Sequence, residues 1–313
     1  MQIVDFSVEM MGEARALMAE NYCEEREWLP VLPEKPPIPA LDGLAKNGLG
    51  VAAVEGGRLL GFLGAYGPWQ PVFCTPDTRG VFSPLHAHGV KKDNRVRIWQ
   101  YLYQAAAEKW VRAGAASHAI TLYAHDKAGQ QALYYYGFGM RCMDLLGSLE
   151  PIPHTPQICC RELPPDQQGL LNPLRLQLNS HLAKSPCFMQ PAPEMIEGWL
   201  AGRAKEPPRM FVAEEAGQII AYIEAQKDGE NYIASSAGIM NICGAFCLPE
   251  YRGRGVAQAL LNQVRLTFRG EGYALLGVDC ESFNPTALGF WRKYFRAYTH
   301  SLVRRIDENI LKL

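Results

Sequence analysis

The sequence predicts a mixed α/β protein of two consecutive domains, each a mixed, largely antiparallel sheet flanked by helices. Three observations carry this. The chain has 313 residues, 48% hydrophobic and 20% charged, an ordinary globular balance. At about 100–200 residues per domain it is long enough for two cores. Its second half repeats its first, and in each half antiparallel strands precede a strand-helix-strand-helix run, which implies a mixed sheet.

The repeat justifies the elements in order. Val51–Leu63 (Val-Ala-Ala-Val-Glu-Gly-Gly-Arg-Leu-Leu-Gly-Phe-Leu) matches Phe211–Ile223 (Phe-Val-Ala-Glu-Glu-Ala-Gly-Gln-Ile-Ile-Ala-Tyr-Ile). Each reads as two short apolar strands around a Gly-containing turn, a hairpin. Further on, Ile98, Leu102, Ala106 and Trp110 fall on Val256, Leu260, Val264 and Phe268. Spacing by four puts each set on one helical face. Gly114 and Gly272 follow these helices, where glycine can end a helix. Strand Ser117–Ala124 then falls on Leu275–Ser282, and Asp126 on Asn284. The simplest reading is a duplicated domain, residues 1–150 and 157–313, with the boundary in the Pro-rich stretch Pro151–Pro156. A second Pro-rich segment, Pro30–Pro39, reads as an extended loop of the first domain.

Composition excludes several functions. A net charge of −1 leaves no footprint for nucleic acid or an anionic membrane. Met1–Met18 mixes acidic and apolar residues, unlike a signal peptide, and no apolar run approaches a spanning helix. The nine cysteines include no C-x-x-C pair, which fits reduced thiols and a cytoplasmic setting. His86 and His88 read as sharing one strand face, with His118 and His125 following. A closed zinc site needs four ligands, and no cysteine pattern completes one, so no metal is expected.

The chemistry concentrates at Tyr251-Arg252-Gly253-Arg254-Gly255, between a strand and a helix. Two glycines let the turn's amides approach an anion closely, and the helix N-terminus adds unpaired N–H groups and its dipole. Arg252 and Arg254 add charge and forked donors. A dinucleotide fold is disfavoured: the G-x-G-x-x-G order is missing, and the preceding strands form a hairpin.

In order, these features resemble the GNAT superfamily of acyl-CoA N-acyltransferases. Arg252-Gly-Arg-Gly255-Val-Ala257 is similar to its R/Q-x-x-G-x-G/A pyrophosphate loop. Asn284-Pro-Thr-Ala287-Leu-Gly-Phe290-Trp291 is similar to its N-x-x-A-x-x-F/L-Y helix. The resemblance implies tandem GNAT-like domains, acetyl-CoA as co-substrate, and N-acetylation of a small-molecule or peptide amine. Arg252, Gly253, Arg254, Gly255, Val256 and Ala257 would hold the cofactor, with Asn284 and Trp291 beside the pantetheine arm. Asn284 before a proline is equally a good N-cap. The backbone donor to the thioester oxygen would be Cys247 or Leu248.

The resemblance also raises questions of mechanism. Trp291 stands where the family often has an acidic tyrosine, and indole cannot protonate a thiolate. Tyr294, three residues on, could substitute or simply pack. Glu281, Glu224 and Asp279 are the candidate bases, or else solvated strand ends. The alternative function is a non-catalytic acyl-CoA sensor or interaction module. In the first domain, Asn94-Arg95-Val96-Arg97 replaces Arg252–Gly255, so its loop is degenerate and should not bind CoA in the usual way.

Overall fold

The computed structural model describes residues 1–72 and 78–312. In chain order the elements are β1 (Gln2–Asp5), α1 (Met11–Trp28), α2 (Asp42–Lys46), β2 (Val51–Glu55), β3 (Arg58–Leu63), β4 (Tyr66–Trp69), β5 (Gly80–Ser83) and β6 (His88–Val90). Then come α3 (Arg95–Arg112), β7 (Ser117–Tyr123), α4 (Lys127–Tyr135), β8 (Gly139–Ser148), β9 (Cys159–Leu163), α5 (Asn172–Leu182) and α6 (Pro193–Lys205). The chain continues through β10 (Arg209–Glu215), β11 (Gln218–Gln226), β12 (Ile239–Cys247), α7 (Val256–Gly270), β13 (Leu275–Glu281), α8 (Pro285–Trp291), β14 (Arg296–Ala297) and β15 (Thr299–Arg305). None of the described helices is long and apolar enough to cross a membrane.

The first unit comprises Met1–Asp144 together with Ala297–Leu313. Strands β1, β2, β3 and β6 pair antiparallel in that order. The β2–β3 turn is Gly56-Gly57, both at positive φ (56° and 75°), which glycine adopts without strain. A second run of strands joins β4 to β5 antiparallel and β5 to β7 parallel. Strand β15 then pairs antiparallel along β7, from Arg305 opposite Ser117 to Thr299 opposite Tyr123. The chain's last strand thus lies in the first unit, although the sequence counts it within 157–313.

The four-residue stripe of α3 is the core of this unit: Ile98, Leu102, Ala106 and Trp110 are all buried. The indole N–H of Trp110 donates to Leu49 O at 2.9 Å, so its burial leaves no polar atom unmatched. Gly114, at φ 88°, follows α3 as a helix stop requires. His86 lies in the turn before β6 and not on a strand, contacting the Tyr66 hydroxyl at 3.2 Å. His88 is on β6, bonded to Thr121 O at 2.6 Å, and His118 contacts the Tyr103 hydroxyl at 2.9 Å. Among the described residues no three His, Cys, Asp or Glu side chains are grouped to hold a metal.

The second unit is Leu145–Arg296. Its sheet runs β9–β10–β11–β12–β13, antiparallel up to β12 and parallel between β12 and β13. The α7 stripe, Val256, Leu260, Val264 and Phe268, is buried as its spacing requires. Gly272 follows at φ 86°.

Two irregularities of β12 position the site. Glu224 faces Gly244 while the next residue, Ala225, faces Ile242, so Cys243 is an extra residue in β12. Such a bulge bends a strand and increases its twist. Beyond it, β12 and β13 no longer pair: their parallel register covers only Ile239–Ile242 against Leu275–Val278. The remaining residues of each strand diverge.

Ending the chain after Arg296 removes β15 and leaves β7 with an unpaired edge. Hydrogen exchange should then accelerate by at least tenfold in Ser117–Tyr123 while Ile239–Ile242 keeps its protection. Unchanged protection of β7 in the truncated chain would refute the assignment of β15 to this unit.

Candidate active site

The chain leaves β12 at Cys247, makes a short turn at Pro249–Tyr251 and enters α7 through Arg252–Gly255. Gly253 and Gly255 have φ of 75° and 81°, the left-handed region that side chains resist. A Cβ on Gly255 would also lie 2.7 Å from Pro156 Cγ, so both conformation and space demand glycine there. Gly255 caps α7 without any side-chain hydrogen bond, and the first intrahelical bond is Ala259 N–H to Gly255 O (2.9 Å). The amides of Val256, Ala257 and Gln258 therefore have no acceptor within the helix. Glycines without Cβ and a free helix N-terminus suit an anionic group such as a pyrophosphate.

A cavity of about 590 Å³ extends from this loop. Its border includes Gly253, Gly255, Val256 and Ala257 at one end and Asn284, Phe290, Trp291 and Tyr294 along α8 and the turn after it. Leu178 and His181 of α5, Tyr222 of β11, and Ala245, Phe246 and Cys247 of β12 complete the wall. The cavity thus reaches Ala245–Cys247, the part of β12 beyond its pairing with β13.

The backbone distinguishes the two candidate amides at the end of β12. Leu248 N–H already donates to Ile220 O at 3.0 Å. Amides alternate sides along an antiparallel strand, so Cys247 N–H points away from β11 and toward the gap. The Cys247 thiol is half-buried, and burial raises its pKa, with Arg252 opposing. A thiol held protonated is a packing group rather than a nucleophile.

Of the two arginines, Arg252 borders the cavity and Arg254 does not. Arg252 Nε donates to Cys247 O at 3.0 Å, and its guanidinium lies 5.4 Å from the Phe246 ring centroid, so it braces the strand end. Arg254 lies over the Tyr251 ring at 5.3 Å and does not border the cavity.

The carboxylates fit the base role poorly. Glu224 is fully buried and does not border the cavity. Its Oε1 accepts from Arg175 Nε at 2.9 Å and also from Arg175 Nη2. Arg175 is itself fully buried and further held by Gln168 Oε1 (2.7 Å) and Asn172 Oδ1 (2.9 Å). Sequence alone placed Glu224 at a strand end; β11 in fact continues to Gln226, and α5 covers the carboxylate with an arginine. Glu281 ends β13 half-buried, and Asp279 is exposed; neither borders the cavity.

The α8 residues behave as a wall. Asn284 Oδ1 accepts from Ala287 N–H at 3.3 Å, capping the helix. Trp291 is buried against Phe290 (4.9 Å) and Phe295 (5.6 Å) and still borders the cavity. Tyr294 sits just past α8, its ring 5.2 Å from Phe290, with the Arg265 guanidinium 5.5 Å away. Burial raises the Tyr294 pKa, with Arg265 opposing, so its hydroxyl keeps a proton to donate.

His181 escaped the reading of the sequence. It lies near the end of α5, its ring 6.4 Å from Phe246, and the Asn284 side chain favours its charged form while burial and Arg252 oppose it. A histidine in a helix far upstream of the motif carries no local signal; only folding brings it to the cavity.

In the first unit the corresponding segment is differently built. Helix α3 begins at Arg95, so Arg95, Val96 and Arg97 are helical where the second unit has its open loop. Arg95 forms a two-pronged pair with Glu24 (2.7 and 2.8 Å) and lies 3.6 Å from Asp126. His125 Nδ1 meets Glu25 at 2.8 Å alongside.

Removing one partner of a buried ion pair leaves the other charge stranded, typically costing about 3–5 kcal/mol. Arg175→Met should destabilise the protein by about that much, and Arg175→Met/Glu224→Met by much less, as read from urea unfolding. Equal losses in the single and double variants would show that the pair does not act as a unit.

Residues 176–295 match the family described as "Acetyltransferase (GNAT) family". Among solved structures, the chain is similar to a GCN5-related N-acetyltransferase from Sphaerobacter thermophilus, at 17% identity and TM-score 0.58, over 94% of this chain and 91% of that one. It is also similar to a fungal multi-domain GH3 β-N-acetylglucosaminidase that contains a glucosamine N-acetyltransferase region. That match has 13% identity and TM-score 0.52, over 96% of this chain and 38% of that one. At these identities the structural matches speak for the fold, and the family match speaks for residues 176–295. The chain has the GNAT acetyltransferase fold, and residues 176–295, within its second unit, are similar to the acetyltransferase family of that name.

Proposed function

We propose that the second unit transfers an acetyl group from acetyl-CoA to a primary amine by direct attack. The observation that carries this is the single cavity of about 590 Å³ joining the open N-terminus of α7 to Ala245–Cys247, the part of β12 beyond its pairing with β13. An elongated molecule with an anionic end and a reactive tip fits such a path.

Each residue then has a physical task. The Gly253 and Gly255 turn and the amides of Val256, Ala257 and Gln258 hold the pyrophosphate. Asn284, Phe290 and Trp291 wall the pantetheine arm. Acetyl-CoA supplies a thioester carbonyl open to attack and a sulfur leaving group. Cys247 N–H, fixed toward the gap, stabilises the charge that grows on the carbonyl oxygen. Tyr294, protonated at the cavity wall, can donate a proton to the departing sulfur, the task that Trp291 cannot perform. The first unit takes no CoA in this reading: Arg95 and its carboxylate partners fill the place of the loop, and Glu24, Glu25 and Asp126 would repel a pyrophosphate.

The acceptor is an amine of a small molecule or peptide. A panel of glucosamine, a polyamine, free amino acids and a lysine peptide covers this class. Glucosamine belongs in it because the fungal relative contains a region named for that substrate.

Calorimetric titration should show one acetyl-CoA site in the wild type and none in Gly255→Arg that remains folded by circular dichroism. With an active amine, free thiol should appear in step with acetylated product. Undiminished binding by Gly255→Arg would remove the loop from the site. Binding by the wild type without turnover of any amine would favour a non-catalytic acyl-CoA sensor.

A further inference from the structure

We propose that His181 is the proton acceptor for the attacking amine. This rests on the acetyl-transfer reading above and assigns the one chemical role that reading leaves open. A protonated amine cannot attack a thioester, so some group must take its proton. None of the described residues bordering the cavity is an aspartate or a glutamate. The ionisable side chains that do border it are His181, Tyr222, Cys247, Tyr251, Arg252, Lys293 and Tyr294, and burial keeps the Cys247 thiol protonated. Arginine stays protonated, and lysine and tyrosine ordinarily lose their protons near pH 10. Imidazole is the single group in that set that is neutral and basic at neutral pH.

The placement of His181 suits the task. Its ring lies 6.4 Å from that of Phe246 on β12, and the Asn284 side chain at the start of α8 acts on it. It borders the cavity together with Phe246 and Cys247, the residue whose amide faces the gap. Asn284 Oδ1 has two lone pairs: one takes the Ala287 N–H that caps α8, and the other can take an imidazole N–H. A bond at one ring nitrogen would leave the other to take the proton.

The charged groups around the ring keep it neutral. Burial, Arg252 from the loop before α7 and Lys184 past the end of α5 disfavour the imidazolium, and the Asn284 bond opposes them in part. The net direction is down from the ordinary imidazole value.

The step balances as follows. The ammonium gives one proton to His181, and the freed lone pair forms the C–N bond. The C–S pair leaves with sulfur, Tyr294 protonates that sulfur, the second nitrogen proton restores the Tyr294 hydroxyl, and His181 returns its proton to solvent.

The test measures kcat and kcat/KM from pH 5 to 9 for wild type, His181→Gln and His181→Ala, with acetyl-CoA affinity in parallel. His181→Gln keeps a side-chain N–H for Asn284 but has no basic nitrogen. The expected result is a loss of about 10²-fold or more in kcat at pH 7 with acetyl-CoA affinity changed less than threefold. The wild-type fall in kcat/KM with decreasing pH, below the ordinary imidazole pKa, should vanish in the variant. Added imidazole should restore part of the His181→Ala rate. Unchanged kcat in His181→Gln, or a reduced kcat with the acidic limb intact, would overturn the proposal and leave the transferase reading standing. A wild type that binds acetyl-CoA but acetylates no amine would overturn both.

Discussion

The active region depends on one backbone event, the parting of β12 from β13. Two parallel strands that stay paired offer no room and no free amide. Here the extra residue at Cys243 bends β12, and its pairing with β13 ends at Ile242 opposite Val278. Cys247 N–H is thereby left facing open space while its neighbour Leu248 remains bonded to Ile220. In the proposed transfer, the oxygen-stabilising donor and the approach of the acceptor both follow from that gap. The bulge is stiffened from the helical side as well: Arg203 of α6 reaches Cys243 O at 3.3 Å and its sulfur at 3.2 Å.

The loop that follows owes its function to what it lacks. Two left-handed glycines and a cap without a side chain leave backbone donors exposed at the start of α7. The first unit shows the opposite outcome with a related sequence. There an additional helical turn, Arg95–Arg97, replaces the glycines, and a guanidinium is neutralised by Glu24 and Asp126. The two halves thus present one open loop, the proposed anion site, and one closed ion-pair cluster, decided by a few residues at the same turn.

Much of this was legible in the sequence because its causes are local. Spacing by four in Ile98–Trp110 and Val256–Phe268 specified the buried helix faces, and Gly114 and Gly272 marked where those helices stop. The glycines of the loop and the Asn284–Pro285 cap are likewise local signals. What was not legible involves distant partners. Glu224 looks like a strand-end carboxylate until α5 brings Arg175 against it. His181 is unremarkable along the chain until the fold sets it beside Phe246 and Asn284. The place of β15 is equally non-local, since nothing within Thr299–Arg305 tells that its partner is Ser117–Tyr123.

The most direct test of the central claim is hydrogen exchange of the intact protein with and without saturating acetyl-CoA. Slower exchange confined to Cys247, Val256–Gln258 and the start of α8, with Asn94–Tyr101 unaffected, is the result that the gap-and-loop account predicts. Protection around Glu24, Arg95 and Asp126, or none at Val256–Gln258, would contradict it.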